Sequence, residues 1–363
     1  MTMRVVWFML ILGSMVSTSV WGDVVYRRGG APPLLGEVRM NEGGVVVRST
    51  QGVEHPISWD RVKRIEPEPS TPGYGGWKAR SVELWRARSR VERDDTGLAE
   101  PLFQKLFAVF KGQTHETALV VAEGLLRCRL ARGAQALSIL PALEVARLRR
   151  AGITTTSYSL LNPVMDETMG LCPSLPPVWT DERSMEQART ALDRYDSKSD
   201  AVVEALAVLY RRSLTPKSQW RDSPSDFPTH KGVTLLRRFV DSGSTEKSLR
   251  NTARNQMLDI LKKGVVVDWV EAWARYAVGN SFLTESGVGR RQRGVVHLLH
   301  LPARWGRHHP YLAGLALLRA AAALEDMDHE TEAARLREEA AAFFPSATVP
   351  ITIDRPLKDA STT

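Results

Sequence analysis

Apolar positions along this chain change their spacing once. Residues 23–66 carry short valine-rich runs, DVVYRR, LLGEVRM, VVVRS and VEHPIS, separated by Gly29-Gly30, residues 41–44 and Gln51-Gly52. Glycines at such turns supply positive φ, and the short spacing predicts hairpins. Trp59-Asp60-Arg61-Val62 predicts one helical turn before a last strand at residues 63–66. From Trp77 onward apolar residues recur three and four apart, the helical period. That period predicts helices over 79–94, 102–110, 117–130, 134–150, 182–195 and 200–214, the last with Ser199 as N-cap. It continues over 233–240, 245–263, 266–283 and 293–300, and then through a hairpin at 310–345. Residues 152–180 interrupt the series with four prolines and little periodicity. Their leucines, methionines and Trp179 are too apolar for a free linker, so they predict an ordered strap along the helices.

The terminal hairpin is the clearest unit. Pro310 suits a first helical position, because its missing N–H would be unpaired there. Tyr311, Leu315, Leu318 and Ala322 share a face, and Leu317 and Leu324 widen it. Residues 325–328 make a polar turn, and Pro345 marks the end of the second helix, since proline disfavours helix in the residue before it. The second helix has a polar face of Glu332, Arg335, Glu338 and Glu339.

With Ala321, Ala333, Ala340 and Pro345 at matching spacing, this hairpin resembles a tetratricopeptide repeat. It departs from the family at Asp328, where glycine is usual, and at Arg337, where a large apolar residue is usual. The resemblance implies a stack of helix pairs with a protein-binding surface. An unrelated alanine-rich hairpin is the alternative. The N-terminal runs, four strands, a short turn and a fifth strand, resemble a small SH3-like or Sm-like barrel plugged by Trp59 and Val62. So small a unit is marginal alone and is expected to lean on the helices or on a partner. The expected fold is therefore mainly α: an α-solenoid-like stack of antiparallel helices preceded by a small all-β barrel domain.

The organisation read from the sequence is a signal peptide at 1–22, the barrel at 23–66 and a Pro/Gly linker at 67–78. A helical domain at 79–345 and a loose tail at 346–363 follow. Arg4, the apolar stretch at 5–20 and the small Gly22 before the cut have the form of an export signal. The alternative, a membrane anchor, needs a longer apolar run. Export to the periplasm or the exterior is the expectation. The net charge is +8, and loss of the leader removes Arg4 from it. In an exported protein that surplus points away from nucleic acid and toward an acidic protein, anionic lipid or glycan. Cys128 in a helical run and Cys172 in a proline-rich loop are the two cysteines. They are a candidate disulfide, with two separate buried thiols as the alternative.

Candidate chemistry is sparse. His297 and His300 lie one helical turn apart, and His308 and His309 follow in a loop. No acidic residue falls among them and arginines crowd them, so core and cap roles are expected rather than a metal site. No cofactor motif and no GxSxG nucleophile elbow is present. Arg290, Arg291 and Arg293 are candidates to grip an anionic partner, and Trp269 and Trp273 to line a groove, against a solvated loop and a buried core stripe as alternatives. The expectation is an exported scaffold, not an enzyme, that binds an envelope or secreted protein. The alternatives are an envelope-binding protein with a basic surface for anionic lipid or glycan, and an enzyme with an α-helical cleft.

Overall fold

The computed structural model describes residues 22–348 apart from 199, 221–225 and 265–266. The expected leader up to residue 21, the N-cap Ser199 and the tail beyond residue 348 lie outside the described residues.

Strands β1 (Asp23–Arg27), β2 (Leu34–Asn41), β3 (Gly44–Arg48), β4 (Glu54–Ile57) and β5 (Val62–Glu66) form one antiparallel sheet. Their order is β4-β3-β2-β1-β5. The register pairs Val38 with Val47 and Met40 with Val45. Val25, Val45, Val47 and Ile57 point inward and are buried. The expected barrel is not closed: among the described residues no ladder joins β4 to β5. β4 has only four residues, and Pro56 within it has no N–H to offer a further partner. Between the two edge strands a 3-10 turn, Trp59–Arg61, drops Trp59 into the core instead.

Helices α1 (Tyr74–Val91), α2 (Thr96–Phe110), α3 (Glu116–Ala131), α4 (Gln135–Arg150), α5 (Glu182–Asp193) and α6 (Ala201–Leu214) follow. Then come α7 (Lys231–Ser242), α8 (Lys247–Lys263), α9 (Asp268–Leu283), α10 (Val288–Trp305), α11 (Pro310–Glu325), α12 (Glu330–Phe343) and the short α13 (Pro345–Thr348). Successive helices pack on one another along the stack. α1 starts inside the stretch expected as linker, because Trp77 packs on Trp59 with ring centroids 5.8 Å apart and draws the chain into helix. α6 is capped by Asp200, whose carboxylate accepts from Val202 and Val203 N–H. α10 runs past both expected ends, through Pro302, because Leu298, Leu301 and Trp305 form one buried face. Pro345 ends α12 as expected, but it also opens α13, so the start of the expected loose tail is helical and packs on α11.

The sheet does lean on the helices. Trp59 N–H donates to Thr117 Oγ1 (3.0 Å), and that hydroxyl donates to Gly43 O (2.7 Å). Ser81 Oγ lies 2.8 Å from Trp59 O and 2.9 Å from Val62 O, so α1 holds the 3-10 turn. Asp60 is fully buried; it accepts from Ser157 Oγ (2.8 Å) and lies 3.3 Å from Arg88. One continuous apolar core runs from Val25 in the sheet to Ala347 in α13.

In the terminal hairpin Ala321, Ala333 and Ala340 are completely buried and Glu339 is exposed. Asp328 adopts the left-handed conformation, φ 63°, that a glycine would take there without strain. Arg337 is paired with Glu325 across the turn. α13 rests on the α3–α4 turn, where a Cβ added to Gly133 would come 3.3 Å from Ser346 Cβ.

Candidate functional site

The segment between α4 and α5 organises the interior. It has almost no regular structure, one isolated bridge between Asp166 and Leu171, yet Leu171, Cys172 and Leu175 are buried. Buried backbone carbonyls need donors, and the surrounding helices supply them. Arg127 of α3 donates to Asn162 O (3.0 Å), and Trp273 of α9 to Pro173 O (3.0 Å). Tyr210 of α6 donates to Leu175 O (3.1 Å), and Tyr311 of α11 to Val178 O (2.8 Å). Trp269 donates to Asp166 Oδ2 (3.2 Å). Burial raises the Tyr210 and Tyr311 hydroxyls, so both stay protonated donors. The strap expected from sequence is thus ordered, and it is fixed by polar tips on apolar side chains.

This placement corrects two candidates. Trp269 and Trp273 are buried, meet edge to face at 5.1 Å and hold the strap, so they line no partner groove. Cys128 and Cys172 are both free and buried, so they form no disulfide; burial pushes each thiol up to about 12. Arg290, Arg291 and Arg293 do not make one exposed set. Arg290 pairs with Glu285 (2.7 Å), Arg291 is half-buried and Arg293 is exposed. His297 stacks on Phe282 with centroids 6.0 Å apart, and burial followed by Arg275 lowers it to about 4. Among the described residues no three His, Cys, Asp or Glu side chains are grouped to hold a metal.

A cleft of about 660 Å³ lies between the end of α1, the α3–α4 turn, the strap and the start of α11. That volume falls in the ~300–1,000 Å³ range of ligand pockets. Leu130, Leu161, Val164, Pro173, Pro176 and Leu312 give it an apolar lining. Its polar groups are unevenly satisfied. Arg127 is engaged by Glu123 (2.8 Å) and by the strap. Glu92 lies 3.7 Å from Arg88; burial raises it, and Arg88 opposes that rise.

Gln135 is only 5% exposed, and its Oε1 has no hydrogen-bond partner. His309 Nδ1 is also buried without a partner. His309 is the N-cap of α11 but makes no side-chain cap bond. The first helical bond there is from Ala313 N–H to His309 O (3.0 Å), which leaves the N–H groups of Tyr311 and Leu312 outside the intrahelical ladder. Both residues line the cleft. Buried polar atoms without partners cost about 1–3 kcal/mol each, and Gln135 Oε1 and His309 Nδ1 are two such atoms at this cleft.

His309 takes one of the cap or loop roles expected from the sequence, and Gln135 was not among the candidates. Its burial had a signal: Gln135 stands one turn before Ile139 and two before Ala142, on the same buried face of α4. Comparison with protein-family models, with curated proteins and with solved structures finds no match to this chain.

Proposed function

We propose that the protein is an exported, non-enzymatic binding protein that holds an extended peptide segment of an envelope or secreted partner in the 660 Å³ cleft. The observation that carries this reading is the conjunction of an apolar lining with the partnerless Gln135 Oε1 and His309 Nδ1 beside the uncapped N-terminus of α11. A peptide supplies apolar side chains together with alternating N–H and C=O groups, the complement of such a surface. Exposed apolar residues next in sequence to the lining support it: Leu160, 97% exposed, beside Leu161, and Leu98 and Phe343 close to Thr96 and Ser346. Glu92 and Asp94, the carboxylates of the lining, come from one turn after α1 rather than from opposite walls, which favours binding over a general acid and base pair.

In this reading the terminal helices are a tetratricopeptide-like repeat and the sheet is a docked SH3-like or Sm-like module. The buried alanines and left-handed Asp328 favour the first assignment, and the strand order favours the second. Selection of random displayed peptides against the full chain tests the function. Cleft-specific binders are expected, lost in Leu161→Glu and retained in Glu339→Ala on the far polar face. Binders indifferent to Leu161→Glu, or none at all, would overturn the reading.

A further inference from the structure

A second pocket, about 250 Å³, lies between the end of the strap, the α6–α7 connection, α7, α9 and α11. Trp179, Trp220 and Tyr276 contribute rings to its lining, Asn280 an amide, and Lys217 and Arg319 two cations. Among the described residues no aspartate or glutamate lines it. Several inward-reaching arginines elsewhere are matched by carboxylates, Arg132 with Glu100 (2.6 Å), Arg147 with Glu144 (3.0 Å) and Arg254 with Glu285 (2.8 Å), while buried Arg250 is held by the carbonyls of Ser244 and Thr245. Lys217 and Arg319 themselves are exposed. The two rings that flank the cations have their own polar atoms satisfied. Trp179 Nε1 donates to Ser213 Oγ (3.0 Å), and Trp220 Nε1 to Thr215 O (2.9 Å). The Arg212 guanidinium lies over one face of Trp220, 4.6 Å from the ring centroid, and Trp179 lies 6.2 Å from the Tyr210 ring. Burial, then Arg319 and Arg250, lowers Lys217, so like charges meet there without a countercharge among them. Lys217 Nζ also lies beside Gly243, at the C-terminal end of α7, where the helix dipole supplies part of a countercharge. Arg319, in the middle of α11, is a hydrogen-bond partner of the Tyr276 hydroxyl.

We propose that this pocket binds a small ring-bearing anion, a sugar carboxylate or sugar phosphate, with the anion between Lys217 and Arg319 and the ring against Trp220 or Trp179. The volume lies just below the usual ~300 Å³ floor for ligand sites, which selects a monosaccharide-sized group. Cations stacked near aromatic walls and a hydrogen-bonding amide are suited to a ring with one apolar face and a polar edge.

Titration of the full chain by calorimetry and tryptophan fluorescence, with glucuronate, glucose 6-phosphate, inorganic phosphate and neutral glucose, tests the proposal. Saturable binding of one acidic sugar is expected, and the two acidic sugars tell a carboxylate source from a phosphate source. Neutral glucose should not bind, and raising salt from about 0.1 M, where screening acts over ~10 Å, to 1 M should weaken the acidic sugar. Lys217→Gln and Arg319→Gln should each weaken it about tenfold, Lys217→Arg should retain it, and Trp220→Leu should weaken it while sparing inorganic phosphate. Absence of binding, equal binding of glucose, or an unchanged affinity in the Lys217→Gln/Arg319→Gln double variant would overturn the proposal. So would loss of stability in Lys217→Gln with affinity intact, which would make Lys217 a cap of α7 alone. Leu161→Glu, in the first cleft, should leave this binding unchanged, so the two readings stand or fall separately.

Discussion

Gly232, in the first turn of α7, separates a fixed strap from a mobile one by the sign of one substitution. A Cβ placed on Gly232 would lie 1.8 Å from Met169 O and 3.4 Å from Leu171 Cγ. The first distance is far inside van der Waals contact, and the obstacle is strap backbone rather than the far end of a flexible side chain. Overpacking of this kind costs typically ~1–3 kcal/mol, and a backbone obstacle puts it toward the upper end. Against this, alanine in a helix is favoured over glycine by up to ~1 kcal/mol. The balance for Gly232→Ala is a destabilisation of about 2 kcal/mol. Gly97→Ala in the first turn of α2 is the control: nothing lies within 4 Å of its Cβ, so it should be neutral or stabilise by about 0.5 kcal/mol. Urea unfolding followed by circular dichroism measures both. If Gly232→Ala is as stable as the wild type or more so, the strap is not held against α7 and the account of the carbonyl-pinned interior fails.

Three further expectations use the same protein. Ala333→Trp, at a completely buried position, should cost about 1–3 kcal/mol by overpacking, while Glu339→Ala stays within about 0.5 kcal/mol; equal melting temperatures for wild type and Ala333→Trp would refute the hairpin register. Burial lowers His297 to about 4 and also lowers His115 and His309, so between the ordinary histidine value and about 4 the unfolded chain binds more protons than the folded one. Stability should therefore be full above about pH 6.5 and fall toward pH 4, with a shallower fall in His297→Gln; an identical pH profile in that variant would exclude His297 as a source. Cys128 and Cys172 should resist a thiol reagent at neutral pH in the native protein and both react after unfolding; disulfide-linked peptides in oxidised material would contradict their separation.

Local chemistry made much of this fold readable. Valine alternation and paired glycines located the five strands, and alanine spacing located the α11–α12 crossing before Ala333 was seen to be buried. Failures fall where a tertiary contact outweighs a local signal. Gly75 and Gly76 read as linker, but Trp77 against Trp59 carries them into α1. The helix expected over 293–300 stops short of Pro302, but the Leu298, Leu301 and Trp305 face continues through it. Sheet closure depends on whether two edge strands meet, and Pro56 in β4 is the local sign against it. The clefts were illegible for a different reason. Gln135 and His309 lie far apart in sequence on α4 and at the cap of α11, and so do Lys217 and Arg319. Only the path of the strap brings each pair to one cavity, and that path has no periodicity to read.

The contact of Ser346 with the Gly133 turn bears on how such a chain can change length. An open solenoid tolerates duplication of a repeat at its end, because the new pair only extends a free face. Here the helix after α12 is seated on the turn between α3 and α4, where Gly133 has φ 77° and no side chain intervenes. An added helix pair would displace α13 from that seat and open the apolar core beneath Phe344 and Ala347. The helix count is therefore set by closure geometry. Insertions during divergence should accumulate in exposed connections such as the turn between β3 and β4, and not as whole repeats.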